Sequence, residues 1–222
     1  NGVLTTPRLA RIEGMERFAG ESFHTSRWDY DVELTGKRVG IIGTGATAVQ
    51  AIPELAKVAG HLYVFQRTPS TIEVRDQRST TPEQIERWSN QPGWALARRA
   101  RVAEILDGRG RQPTAGNAAE GAAPAPSGGR PPISREERTR KQLDKAYRIM
   151  EQIRDRIDAI VTDPATAEAL KPYYAYACKR PTFHDEYLPT FNRPNVTLVD
   201  VAPLGVQLIN ERGPVHNGVQ YD

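Results

Sequence analysis

A single cysteine, Cys178, stands in a chain of 222 residues. That excludes an intramolecular disulfide, and such sparing use fits a reducing, cytoplasmic setting. No apolar run approaches the roughly 18 residues that a membrane-spanning helix needs, so no membrane partner is expected. No basic segment leads into an apolar one near Asn1, so no signal peptide is expected. Charge of one sign is also scarce in excess: 30 basic against 27 acidic residues give a net charge of +3, and no long basic run carries it. A nucleic-acid partner is therefore not expected. His61, His184 and His216 share no spacing of metal ligands, so no metal is expected. No Tyr-x-x-x-Lys pair occurs, which counts against a short-chain dehydrogenase. An initiating Met is missing too. The chain opens with Asn1-Gly2-Val3-Leu4, and the expectation is a piece of a longer protein.

What is present begins with a hydrophobic share of 38%, enough to build a core. The length suits one domain of ordinary size, or one domain with a subdomain. The stretch Arg38-Val39-Gly40-Ile41-Ile42-Gly43-Thr44-Gly45-Ala46-Thr47-Ala48 reads as a buried strand, a glycine turn and the first turn of a helix. The helix continues over 46–59 with Val49, Ile52, Leu55 and Ala56 on one face, and Pro53 is expected to kink it. A second strand follows at 61–66, so strand, helix and strand close within the length of a βαβ unit.

In that setting G-x-G-x-x-G carries meaning. Gly43 permits the tight turn, Gly45 lets the backbone approach a pyrophosphate, and Ala48 replaces the third glycine at the helix–strand contact. Thr44, Ala46 and Thr47 complete the turn and open the helix, whose N–H groups and partial positive charge suit the phosphates. The alternative is a glycine turn without a ligand. The end of the second strand separates NAD from NADP. Where an acid would hold the ribose 2′-hydroxyl stands Arg67, 24 residues after Gly43 (67 minus 43), with Thr68 beside it. A guanidinium and a hydroxyl suit a 2′-phosphate, so NADPH is the expected cofactor. A solvated surface arginine is the alternative.

Further along, 81–105 reads as helix, with Thr81 and Gln84 at capping-box spacing, Pro82 at the first helical position and Gly93 as a break. Of the 25 residues 108–132, 17 are Gly, Ala or Pro and none is a larger hydrophobe, so a disordered segment is expected. The arginines Arg98, Arg99, Arg101, Arg109 and Arg111 read as a solvated face. Ser134 and Glu137 repeat the capping spacing and open a long helix to about Val161, striped by Leu143, Ala146, Met150, Ile153, Ile157 and Ile160. Asp163 and Pro164 start a short one. Strands are expected at 196–202 and 205–210, and Asn217-Gly218 marks a hairpin turn. The expectation is an α/β fold: a Rossmann-like three-layer dinucleotide-binding domain over 38–80 and 170–222. A linker over 1–37 precedes it, a helical insertion over 81–169 interrupts it, and a small β meander closes it.

Upstream, the segment from Phe18 to Asp29 fits F-x-G-x-x-x-H-x-x-x-W-P/D at all five fixed positions: Phe18, Gly20, His24, Trp28 and Asp29. Composition alone makes this a loop with a lone structural histidine. The pattern resembles the fingerprint of the type I Baeyer–Villiger monooxygenases, a class B flavoprotein family. The glycine turn with Phe65-Gln66-Arg67-Thr68-Pro69 is similar to that family's NADPH-binding fold. Cys178-Lys179-Arg180-Pro181, followed by Phe191-Asn192-Arg193-Pro194-Asn195-Val196, resembles the segment after its helical insertion. The resemblance covers 1–80 and 170–222. Flavin monooxygenases that oxidise nitrogen or sulfur usually carry Tyr or Phe where Trp28 stands; they remain an alternative, as does a non-catalytic NADP-binding module.

The resemblance implies a reaction in which NADPH reduces FAD and oxygen then yields an anionic peroxide that attacks a ketone, giving an ester or lactone. It implies Arg180 as the fixed catalytic cation for that anion, since a guanidinium keeps its proton. Lys179 is implied to clamp the 2′-phosphate with Arg67 and Thr68. Gln50 is a candidate for contact with the cofactor, or an exposed helix glutamine. His24, in the fingerprint loop, is implied to couple domain movement to NADP binding, without acid–base work. The glycine loop that binds FAD and the part that completes the ketone pocket are missing. Residue 1 is expected to follow the family's first crossing between FAD and NADPH domains, and residue 222 to precede the second. The expected partners are thus a ketone, oxygen and an FAD-binding domain of the same parent chain.

Overall fold

The computed structural model describes residues 10–106 and 134–222, and they fall into two compact units. The first runs to Asp76 and resumes at Ser134, and the second begins at Gln77. In chain order the first unit opens with β1 (Arg38–Ile42), α1 (Ala46–Val58), β2 (His61–Gln66) and β3 (Ile72–Glu73). The second unit holds α2 (Pro82–Ser89) and α3 (Trp94–Leu106). The first then continues with α4 (Arg135–Ile160), α5 (Pro164–Leu170), β4 (Thr182–Phe183) and α6 (Tyr187–Thr190). It closes with β5 (Val196–Asp200), β6 (Leu208–Asn210), β7 (Gly213–His216) and β8 (Val219–Gln220).

The central sheet is parallel, in the order β1-β2-β5. Its register sets Ile41 beside Val64 and Val64 beside Leu198. Side chains alternate across a strand, and β2 divides its residues accordingly. Leu62 and Val64 enter a core with Val49, Ile52, Leu55 and Ala56 of α1, Met150, Ile153 and Ile157 of α4, and Tyr187 and Leu188 of α6. Tyr63 and Phe65 meet the opposite cluster of Val199, Val201, Val206 and Ile209. That second cluster carries the antiparallel meander β6-β7-β8. Helices, parallel sheet and meander make the three layers of an α/β, Rossmann-like fold.

Local chemistry sets the ends of these elements. The α1 stripe is buried throughout, and the helix runs through Pro53 without ending there. Asn195 closes the far end of α1 by donating to Ala56 O at 3.0 Å and Ala59 O at 2.9 Å. Ser134 caps α4 by accepting from Glu137 N at 3.1 Å, but the Glu137 carboxylate goes to Lys141 at 2.6 Å, so the reciprocal half of the expected capping box is not made. Asp163 caps α5 with a bond from Thr166 N at 2.8 Å. Bonds from the Thr166 side chain and backbone hold its carboxyl below the usual range. Asn217 and Gly218 both take positive φ, 50° and 76°, as a two-residue hairpin turn of the primed type requires.

Two expectations need correction. The strand Arg38–Ile42 is not fully buried: Ile42 is 46% exposed, because it shares with Arg38 and Gly40 the face of β1 opposite to the helix-side core that Val39 and Ile41 enter. The α4 stripe is buried only in its C-terminal half, and Leu143 is 50% exposed. In the second unit Gly93, at φ 78°, separates α2 from α3. Thr81 and Gln84 complete their capping box there. Trp88 and Trp94 stack at 5.2 Å, with Arg98 over the Trp88 ring at 5.7 Å, so Arg98 is a packing cation and not merely solvated. Arg109, Arg111 and the Ala/Gly/Pro-rich stretch 108–132 lie outside the described residues.

The uneven burial makes a stability contrast. Ile52, with no exposed surface, should lose about 2–5 kcal/mol on Ile52→Ala. Leu143→Ala should stay within about 0.5 kcal/mol of the parent. Urea unfolding followed by circular dichroism reads both; equal losses would mean that the stripe of α4 is buried along its whole length.

Candidate nucleotide site

The glycine turn lies at the carboxyl end of the parallel strands, where open α/β sheets bind ligands. Gly43 takes φ 101°, which favours glycine, and its N–H donates to Phe65 O at 2.9 Å. A Cβ at Gly43 or Gly45 would meet no atom within 4 Å. The protein's own packing therefore does not demand glycine at Gly45, and the bare backbone leaves open space in front of the turn. Helix α1 starts at Ala46, and its N-cap, Gly45, makes no side-chain bond. The caps Thr81, Ser134 and Asp163 of other helices each make one. The first N–H groups of α1 are thus left for an anion. Ala46 and Thr47 are exposed, and Ala48 is buried against the core, as a packing substitute for glycine should be.

Thr44 differs from its expected part. It is buried, and its hydroxyl donates to Thr68 O at 2.9 Å. In return Ser70 Oγ donates to Thr44 O. The Thr44 side chain is spent inside the protein, and what it does is tie the glycine turn to the segment after β2. Gln50 is exposed, and its Nε2 donates to Ala46 O of its own helix at 2.9 Å.

Arg67 is exposed, with no ion pair among the described residues. Its stem passes Gly205, whose Cβ, if present, would stand 3.7 Å from Arg67 Cδ. Lys179 is exposed too, and its ammonium lies over the Tyr174 ring, 5.2 Å from the centroid. Arg180 is exposed and makes no hydrogen bond or ion pair among the described residues.

The loop that carries these two cations is stitched to the strand beside the turn. Tyr174 donates its hydroxyl to Pro69 O at 2.9 Å and accepts from Thr71 Oγ1 at 3.1 Å. Tyr176 donates to Glu73 Oε1 at 2.8 Å. Burial, and then that bond, push the Tyr176 phenol up to about 12, so it stays a donor at any physiological pH. Thr182 N donates to Thr71 O at 2.9 Å where β3 meets β4, and Arg156 donates to Ile72 O. Ala177, at φ 66°, turns the chain just before Cys178. Sequence reasoning missed Ser70, Thr71, Tyr174 and Tyr176. The one available signal was the cluster Tyr173-Tyr174-Ala175-Tyr176 just ahead of the basic pair.

The fingerprint segment spans both faces of the sheet. Phe18 packs on the meander-side cluster, and Trp28 on the helix-side core. Gly20 lets the Phe18 ring fold back, since a Cβ there would stand 2.6 Å from the ring. Ala19 N donates to Glu211 O at 3.0 Å. His24 Nδ1 accepts from Ser26 N at 3.1 Å and caps the short turn Thr25–Arg27. Phe23 meets Trp28 edge-on at 5.1 Å, and Asp29 Oδ1 accepts from Asp31 N at 3.0 Å. No group of metal-ligand type clusters among the described residues, and none of their helices is long and apolar enough to cross a membrane.

No family model matches the chain. It is 46% identical over 240 residues to a Baeyer–Villiger monooxygenase of Streptomyces coelicolor, covering 99% of this chain and 39% of that protein. Among solved structures, the polycyclic ketone monooxygenase of the thermophilic fungus Thermothelomyces thermophila superposes with a TM-score of 0.78 at 41% identity. That match covers 99% of this chain and 38% of the fungal one. The structure of OTEMO in complex with FAD and NADP (form 1) follows with a TM-score of 0.69 at 30% identity, over 99% of this chain and 44% of OTEMO. The chain thus spans about two fifths of the length of the curated relatives it matches. Over that span the chain is similar, by sequence and by fold together, to the Baeyer–Villiger monooxygenases.

Proposed function

We propose that the chain is the NADPH-binding part of an FAD-dependent Baeyer–Villiger monooxygenase, which converts a ketone to an ester or lactone with NADPH and oxygen. The observation that carries this reading is the uncapped start of α1 behind open space at Gly43 and Gly45, tied by Thr44 to the segment that bears Arg67 and Thr68. The donor set suits NADP. Backbone N–H groups of Gly45, Ala46, Thr47 and Ala48 would meet the pyrophosphate. Arg67 and Lys179, two cations without carboxylate partners among the described residues, would meet a dianionic 2′-phosphate, with Thr68 beside them. The structure of OTEMO holds FAD and NADP, which supports the same pair of cofactors here.

FAD is a different matter. The chain has no second glycine turn of the required pattern, so its own residues do not suit a flavin site, and the flavin would sit in an FAD-binding domain of the parent chain. When bound, FAD supplies the oxygen-activating chemistry. The contribution proposed for this chain is a fixed charge: Arg180, unpaired and permanently protonated, offers a cation to an anion that develops beside it. The domain division follows the same reading. The βαβ unit and the residues from 170 onward hold the nucleotide, the 1–37 segment carries the fingerprint, and 81–169 is an insertion whose helices α4 and α5 pack back into the first unit. The fingerprint residues Phe18, Gly20, His24, Trp28 and Asp29 shape a loop that packs on both faces of the nucleotide fold, so cofactor binding can be transmitted along it. A cytoplasmic setting belongs to the reading as well and rests on the sparing use of cysteine.

Two experiments test it in the full-length protein. Arg67→Ala should weaken NADPH binding by about 1.5–3 kcal/mol while leaving NADH nearly untouched, as titration calorimetry reads. Equal losses for both nucleotides would refute the role of Arg67. Arg180→Ala should still consume NADPH but release hydrogen peroxide in place of ester. The stabilisation lost is about 2.7–4 kcal/mol, typical of a preorganised charge. Ester formed in step with NADPH consumed would show that Arg180 is not the catalytic cation.

A further inference from the structure

We infer that Tyr174 is a positioning residue for cofactor selectivity: its ring holds the Lys179 ammonium for the 2′-phosphate, and it acts through Lys179 without touching the nucleotide. The inference rests on the NADPH reading above. A lysine on an exposed loop has a flexible four-carbon stem, and its ammonium would otherwise sample much of the space around it. Here the ammonium lies 5.2 Å from the centroid of the Tyr174 ring. That ring is itself fixed. Its hydroxyl donates to Pro69 O at 2.9 Å and accepts from Thr71 Oγ1 at 3.1 Å, two residues of the segment that follows Arg67 and Thr68. The same segment is bonded to the glycine turn through Thr44 and Thr68. Tyr173 meets the ring edge-on at 6.0 Å. Between the two residues the chain turns, with Ala177 at φ 66° and Cys178 N donating to Ala175 O at 3.0 Å.

The choice of an aromatic partner has a physical reason. Lys57, Lys141 and Lys171 each lie against a carboxylate, at 2.7, 2.6 and 2.9 Å. A carboxylate would hold Lys179 equally well but would neutralise it and repel an incoming phosphate. A π face holds the ammonium by its quadrupole and leaves the full positive charge for the ligand. The ring also sits on the same stretch of chain as Arg67, so the two cations are located relative to one frame.

The test compares Kd values for NADP+ and NAD+ by calorimetry in the full-length protein. Tyr174→Leu should lower the NADP+ preference about two- to fivefold, the range expected for one exposed cation–π contact, with NAD+ affinity unchanged. In a Lys179→Ala background the same substitution should leave the preference where it is. A Tyr174→Leu that weakens both nucleotides equally, or that shifts the preference equally with and without Lys179, overturns the inference and makes Tyr174 a structural tie only. Phenylalanine and pentafluorophenylalanine at position 174 guard against a misfolded Leu variant. The two rings have similar shape and opposite charge on the face, so the preference should fall in the fluorinated protein relative to Tyr174→Phe; equal preference overturns the inference. If the parent protein does not distinguish NADP+ from NAD+, the NADPH reading itself falls, and the inference with it. A parent preference untouched by Tyr174→Leu sinks the inference alone.

Discussion

The parallel pairing of β1 with β2 is the constraint on which the nucleotide site depends. Ile42 lies opposite Phe65, so the two strands end together. Gly43 leaves β1 where Arg67 leaves β2, and the bond from Gly43 N to Phe65 O holds that junction. Parallel strands make this possible because both carboxyl ends point the same way. A slip by one residue would turn Leu62 and Val64 out of the helix-side core. It would also part the glycine turn from Arg67 and Thr68, the residues proposed to distinguish one nucleotide from another. The core on one face and the meander on the other therefore protect the geometry of the site.

Around that junction the polar side chains are used for tethering. Thr44 and Ser70 exchange bonds between the glycine turn and the segment after β2. Tyr174, Thr71 and Thr182 join that segment to the loop of Lys179 and Arg180. The three cations Arg67, Lys179 and Arg180 stay without carboxylate partners among the described residues. Lys57, Lys141 and Lys171 pair with carboxylates elsewhere on the surface, and these three cations do not. Unpaired charge on tethered backbone is what recognition of a phosphate or a developing anion requires, because it is preorganised and not neutralised in advance.

The fingerprint segment has a structural explanation of its own. Gly20 is needed where the Phe18 ring folds back, His24 is a cap, and Trp28 fills a gap at the edge of the core. None of these roles calls for acid or base chemistry. Anchorage on both faces of the sheet is a physical basis for the proposed link between this loop and cofactor binding.

Much of this was legible along the chain. Strand, glycine turn, helix and strand could be read because periodicity and turn chemistry are local: Gly43, the stripe of Val49, Ile52 and Leu55, and the run from His61 to Gln66 need only their neighbours to be understood. Arg67 stood out by its distance from Gly43, and the caps at Thr81, Ser134 and Asp163 by their spacing. Other features depended on packing between residues far apart in sequence. Thr44 looked like a ligand contact until Thr68 and Ser70 claimed it. Leu143 belonged to a stripe whose N-terminal half has nothing to cover it. The part of Tyr174 needed Pro69 and Thr71, more than a hundred residues away, to come beside it. Local sequence determined which elements form and which backbone turn can face a phosphate. Tertiary structure decided which polar side chains remain free to bind, since a hydroxyl or an ammonium is available only when no distant partner has been folded against it.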